Sequence, residues 1–151
     1  MDALRRVLPR VRGAFSLVVL DAQRVIGVRD PHGFRPLVLG RLPRHGGDAP
    51  GLWGDDTGGW ILASETAALD IVSAEFVRDV EPGEIVVLEP GREPVSVRYA
   101  LATPALCVFE LIYFARPDSY MEGRNLYEAR RQMGIQLAAE HPAAADLVMP
   151  V

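Results

Sequence analysis

Lysine is missing from this chain: all sixteen basic residues are arginine. Arginine is the better fork for a phosphate, yet a total absence of lysine reads as genome composition bias rather than as anion recognition. An excess of positive charge is also missing, because 20 acidic residues set the net charge at −4. Non-specific nucleic-acid binding therefore has no bulk electrostatic support. The single cysteine excludes an internal disulfide and fits a reducing compartment. No apolar run approaches the roughly 20 residues a membrane helix needs. The opening Met1-Asp-Ala-Leu-Arg-Arg6 carries no apolar core of a secretory leader, so the expected location is cytoplasmic, without nucleic-acid or membrane partners.

What remains is an ordinary globular composition, 49% hydrophobic and 24% charged, in a length of 151 residues that suits one domain or parts of two. Leu4, Val7, Leu8 and Val11 stand at helical spacing, and Pro9 cuts that helix short. From Gly13 the texture turns to strands, expected over 14–20, 24–29 and 37–42, with Asp30-Pro-His-Gly33 as a turn between two of them. Residues 44–59, rich in Gly, Asp and Pro, read as a loop. A strand over 60–64 and a short helix over 65–72 follow, with Ser64 or Thr66 able to cap the helix. Strands over 76–80, 84–89 and 94–99 are joined by Glu81-Pro-Gly83 and Pro90-Gly91, both strong turn signals. The pattern predicts antiparallel sheet covered by helices, an α+β fold.

After Ala102-Thr-Pro104 the texture changes again. Leu106 to Phe114 is nearly all apolar, as expected of a strand buried on both faces. Pro117 disfavours helix at Arg116, so the run breaks into an Arg116-Pro-Asp-Ser119 corner whose Asp118 and Ser119 can turn back onto backbone amides. Asn125 with Glu128 reads as a helix start. Leu126, Ala129, Met133 and Leu137 then form one apolar stripe, and His141-Pro142 ends the helix. Asp146 to Val151 opens a further strand.

Three strings carry a resemblance: Arg29-Asp-Pro-His-Gly-Phe-Arg-Pro-Leu37, Leu62-Ala-Ser-Glu-Thr-Ala-Ala-Leu69 and Cys107-Val-Phe-Glu-Leu-Ile-Tyr-Phe-Ala-Arg-Pro-Asp-Ser119. The first two resemble the second half of a class II glutamine amidotransferase domain, with asparagine synthetases sharing similar strings. The third is far more specific, and with it the chain resembles amidophosphoribosyltransferases. That resemblance implies the second half of an αββα glutaminase domain over 1–102, then the junction and beginning of an α/β phosphoribosyltransferase domain over 103–151. It implies a parent enzyme that makes 5-phosphoribosylamine, glutamate and pyrophosphate from phosphoribosyl pyrophosphate, glutamine and water. Magnesium would be held outside this segment, and the family works as a homo-oligomer.

Residue by residue, the resemblance places Tyr113, Arg116, Asp118 and Ser119 at the domain junction. There they line an ammonia passage or form a purely structural corner. Arg29, Asp30, Arg35 and Glu65 fall at a turn of the glutaminase domain, where Arg35 can meet Glu65 or Asp30. Cys107 stands where some relatives carry the first cysteine of a 4Fe–4S cluster and others hold an inert thiol. The family's glutaminase nucleophile is an N-terminal cysteine, so no catalytic residue is carried over to this segment. Asp146 onward is similar to the first strand of the nucleotide-handling sheet. A different class II amidotransferase and a non-enzymatic domain are the competing readings.

Overall fold

The computed structural model describes residues 2–43 and 58–149. Helix α1 (Asp2–Val7) passes at Pro9 into a 3₁₀ turn (Leu8–Arg10), because proline has no amide hydrogen for an α-helical bond. The strands are β1 (Ser16–Leu20), β2 (Val25–Arg29), β3 (Val38–Leu42), β4 (Gly59–Ala63), β5 (Glu75–Asp79), β6 (Glu84–Leu88) and β7 (Val95–Arg98). Helix α2 (Thr66–Ile71) lies between β4 and β5. Two antiparallel sheets result, ordered β1-β2-β6-β7 and β4-β3-β5. Most of the expected loop over 44–59 lies outside the described residues; the strand after it starts at Gly59.

Alternation along each strand sorts the apolar side chains into layers. Ile26, Val28, Ile85 and Val87 face Leu8 and Leu4 on the outer side of the four-stranded sheet. The opposite face supplies Val86 and Leu88, which pack against Leu39 of the three-stranded sheet and Leu37 just before it. Val38 on the far side of that sheet meets Leu69 and Ala74 around α2. The order is helix, sheet, sheet, helix. Close packing of the two sheets explains Gly27, where an added Cβ would sit 2.7 Å from a methyl carbon of Leu62 in the facing sheet.

Two turns do a different job from the one their sequences suggest. Asp30-Pro-His-Gly33 joins β2 to β3, and Glu81-Pro-Gly83 joins β5 to β6, so each carries the chain from one sheet to the other rather than closing a hairpin. Turn chemistry specifies a reversal, not which strands pair after it. Only Pro90-Gly91 of these turns closes a paired hairpin, β6 with β7. At the opposite end of β6, beside the Glu81-Pro-Gly83 crossing, Arg78 of β5 reaches across to Glu84 with two hydrogen bonds of 2.8 and 2.9 Å, pinning the sheets together. Burial pushes the Glu84 carboxyl up, but the bonds from Arg78, Ser96 and the Glu81 amide leave it below the usual carboxylate range.

The apolar run expected to be a buried strand is not one. Glu110–Phe114 is a single π-helical turn. Its large side chains face outward, with Tyr113 77% and Phe114 60% exposed. Periodicity cannot separate a short apolar strand from a short apolar helix, and the acidic residue inside the run was the contrary signal. A two-residue hairpin, β8 (Tyr120–Met121) with β9 (Arg124–Asn125), leads into α3 (Leu126–Glu140). Asn125 caps α3 as expected, its side chain accepting from the Glu128 amide at 3.0 Å. The anticipated apolar stripe of α3 is covered only at Leu126; Met133 and Leu137 are exposed. Residues 147–149 form no strand, and 150–151 lie outside the described residues.

Candidate functional site at the Arg116 to Ser119 corner

The buried end of the sandwich is built around Arg29 and Asp30. Asp30 is fully buried, and its carboxylate accepts from the amides of Phe15, His32 and Gly33. Arg29 spends its guanidinium on three backbone carbonyls, those of Val80 (2.7 Å), Gly33 (2.9 Å) and Arg35 (3.1 Å). Both residues thus satisfy groups that the sheet-crossing turn would otherwise leave orphaned. The Tyr99 hydroxyl donates to the Arg29 carbonyl at 3.0 Å; burial, then the nearby Asp30 charge, pushes its pKa up to about 12.

The chain after β7 returns to this turn. The Thr103 amide donates to the Pro31 carbonyl at 2.8 Å, and the Ala105 amide donates to that of His32 at 2.9 Å. The His32 ring also meets Thr103 through its carbonyl and hydroxyl. A cleft of about 360 Å³ opens beside this strap, lined by His32, Phe34, Leu106, Cys107, Glu110 and Met121 among others.

The corner itself hangs on one carboxylate. Glu65 is the N-cap residue of α2, but neither it, Ser64 nor Thr66 caps that helix through a side chain. Instead one Glu65 oxygen accepts from the Arg116 amide and from the Ser119 hydroxyl, each at 2.8 Å. Thr66 accepts from the Tyr120 amide at 2.8 Å. The second string of the sequence therefore grips the third. Ser119 is buried, while Arg116 and Asp118 are exposed and form a two-bond fork of 2.8 and 3.0 Å. Hydrogen bonding from Arg116 holds the Asp118 carboxyl below its ordinary range.

Arg35 meets neither Glu65 nor Asp30. Glu65 is engaged by the corner and Asp30 by its own turn, so Arg35 pairs with Glu110 of the π-turn. Its guanidinium also lies 5.9 Å from the Phe114 ring centre. Glu110 is only 3% exposed; burial pushes its carboxyl above the usual range, with Arg35 opposing and Glu65 adding to the shift. From α3, Arg130 donates to the carbonyls of Leu111 (2.8 Å) and Ala115 (2.6 Å). Glu110 and Arg130 are the two residues that sequence reasoning passed over. An acid inside an apolar run is a signal for the first, since buried charge demands a partner. For Arg130, one arginine of an adjacent pair on a helix, no local signal exists.

Cys107 is half-buried at the cleft, the chain's one thiol. A 4Fe–4S cluster needs four thiolates or equivalents. Among the described residues no group of three potential ligands gathers, so this segment does not by itself fit a cluster.

Together these features define a mixed helix and antiparallel-sheet sandwich with a charged corner docked on its buried end. Known proteins match this chain over nearly its whole length. Amidophosphoribosyltransferase of Mycobacterium tuberculosis (strain ATCC 25618 / H37Rv) is 49% identical over 145 residues, 96% of this chain and 25% of the relative. A solved structure described as the allosteric regulatory enzyme of purine biosynthesis superposes with a TM-score of 0.80 at 34% identity, covering 96% of this chain and 28% of that one. The glutamine phosphoribosylpyrophosphate amidotransferase of B. subtilis, solved with ADP and GMP, gives 0.79 at 34%, covering 96% and 29%. No family model matches the chain. The chain is thus homologous over nearly its full length to one stretch of amidophosphoribosyltransferases, and it spans about a quarter of the length of the curated relatives it matches. The resemblance carried by 29–37, 62–69 and 107–119, and the α+β fold it implied, are borne out. Among the described residues no helix is long and apolar enough to cross a membrane.

Proposed function

We propose that this chain serves as the junction segment of an amidophosphoribosyltransferase. Residues 1–102 complete its glutaminase unit, and 103–151 begin its phosphoribosyltransferase unit. The enzyme hydrolyses glutamine to glutamate and passes the ammonia to phosphoribosyl pyrophosphate, where it displaces pyrophosphate and gives 5-phosphoribosylamine. What carries this reading is 49% identity across 96% of the chain, with the corner and its Glu65 anchor intact in the fold. Magnesium serves the pyrophosphate substrate from residues outside these 151, and Cys107 would supply at most one ligand to a cluster. The enzyme works in the cytoplasm as a homo-oligomer.

In this reading the segment performs no bond-making step. Tyr113 and Phe114 present aromatic surface beside the Arg116–Asp118 corner, and such surface in a closed junction would keep ammonia unprotonated and nucleophilic. Arg116 and Asp118 hold the corner's shape, and Ser119 with Glu65 fixes it to the sandwich. The test is Arg116→Ala in the enzyme at the full length of its relatives. Glutamine hydrolysis should persist while phosphoribosylamine formed per glutamine falls. Equal loss of both activities, or of neither, would remove Arg116 from the passage. Absence of glutamine-dependent transfer in the unsubstituted enzyme would remove the whole reading.

A further inference from the structure

The π-turn over Glu110–Phe114 is a rare kind of element. Single π-turns carry one residue more than an α-turn and are frequent at functional sites. Its defining bond runs from the Ala115 amide to the Glu110 carbonyl at 3.2 Å, a spacing of five residues. In an α-helix the same amide would bond the carbonyl four residues back, which is that of Leu111. That acceptor is already engaged: Arg130 donates its Nε to the Leu111 carbonyl at 2.8 Å and an Nη2 to the Ala115 carbonyl at 2.6 Å. One carbonyl lies within the turn and the other just past its end, so a single guanidinium spans its second half. At its start the turn is held by the Arg35–Glu110 pair.

We infer that Arg130 is a positioning residue that selects the π register of 110–114, and so sets where Tyr113, Phe114 and the Arg116 corner stand. Conversion to an α register would squeeze one residue out of the turn. Side chains on one side of the change would then rotate by about 100°, the angle each residue turns in an α-helix. Tyr113 and Phe114 lie inside the turn, and Arg116 follows its last bonded amide by one residue. Arg130 comes from α3 and Arg35 from the sandwich, so the register is held from both sides of the junction. A change in how α3 packs would pass through Arg130 into the turn. The register is a property of the fold; its effect on ammonia transfer rests on the amidotransferase reading above.

The experiment uses the full-length enzyme with Arg130→Gln and Arg130→Lys. One readout is structural: which carbonyl, Glu110 or Leu111, accepts from the Ala115 amide in the crystal structure of each variant. The other is coupling, phosphoribosylamine formed per glutamine hydrolysed. Arg130→Gln should move the Ala115 bond to Leu111 and lower coupling about tenfold or more while glutamine hydrolysis holds, since an ångström-scale misplacement of reacting groups costs up to a hundredfold. Lysine keeps one donor in place of the fork and should recover part of the coupling. Should the glutamine variant fail to fold, the lysine variant gives both readouts with smaller amplitude. A retained Glu110 bond in a folded Arg130→Gln variant overturns the inference, and so does a shifted bond with coupling intact. If the unsubstituted enzyme shows no glutamine-dependent transfer, the amidotransferase reading falls instead, and the structural readout still decides the register.

Discussion

Glu110 is a carboxylate placed where water barely reaches it, balanced by an arginine that stays half in solvent. Desolvation offsets most of the attraction in such a pair, so its value lies in geometry more than in stability. The sign of its pH dependence follows from its raised pKa. Just above the ordinary carboxylate range the folded state keeps a proton that the unfolded state has released. Stability is therefore full below the unfolded pKa and declines as pH rises through the folded one. Glu110→Gln should flatten that slope in urea midpoints measured from pH 4 to pH 7 on the order-of-magnitude scale of one titrating group. Arg35→Ala should steepen it and cost roughly 1–3 kcal/mol at neutral pH, because it strands a buried charge. Equal slopes in all three proteins would show that Glu110 titrates as a solvated acid. At this scale many of the site's residues are legible in the sequence. Arg29, Asp30, Glu65 and Ser119 stand out in the sequence, and the cap at Asn125 is visible together with its Glu128 partner. Partnerships are not: which of several acids takes Arg35 depends on how far the corner folds back, and that distance is set by elements remote in sequence.

Among the elements, the sheet-crossing turns show where local chemistry stops being informative. Asp30-Pro-His-Gly33 and Glu81-Pro-Gly83 look like hairpin turns, yet their flanking strands belong to different sheets, and only the packing of Leu37, Leu39, Val86 and Leu88 between the sheets decides it. The π-turn was hidden for a related reason, since a nearly all-apolar run has no period to read. Strand existence survived far better, because alternation and turn residues are local. Gly83 gives this scale its prediction. Its φ of +76° lies in the left-handed region, and an added Cβ would stand 2.6 Å from the Ala100 backbone oxygen. Its amide and carbonyl also bond Asp30 and Tyr99, so the turn cannot drift to make room. Gly83→Ala should lower stability by about 1–3 kcal/mol for the strained backbone alone, with the clash added. Gly91→Ala, at a similar φ of +69° but with open space around it, should cost less. Matching urea midpoints for the two variants would mean that the Ala100 contact relaxes freely.

For the molecule as a whole, the layered sandwich covers its own core while several apolar surfaces stay bare. Among the described residues β1 is an edge strand, and its Leu17, Val18, Val19 and Leu20 are all exposed, Leu20 by 77%. Phe109, Ile112, Tyr113 and Phe114 form a second apolar surface on the π-turn, and Met133, Ile135 and Leu137 lie bare on α3. An unpaired edge with apolar side chains on both faces is a template for another chain, and apolar patches of this kind drive association. A net charge of −4 spread over 151 residues offers little repulsion to prevent it. The isolated 151-residue chain should therefore self-associate, with scattering mass rising with concentration. Val18→Lys, a charge placed in the middle of the exposed edge, should shift that equilibrium toward monomer, because a lysine on an edge strand makes a second strand costly to add. Light scattering across a dilution series reads both outcomes. A monomer with a radius of gyration near the ~15 Å expected for a compact chain of this length, melting sharply at every concentration, would show that these surfaces are tolerated in water and that the sandwich stands alone.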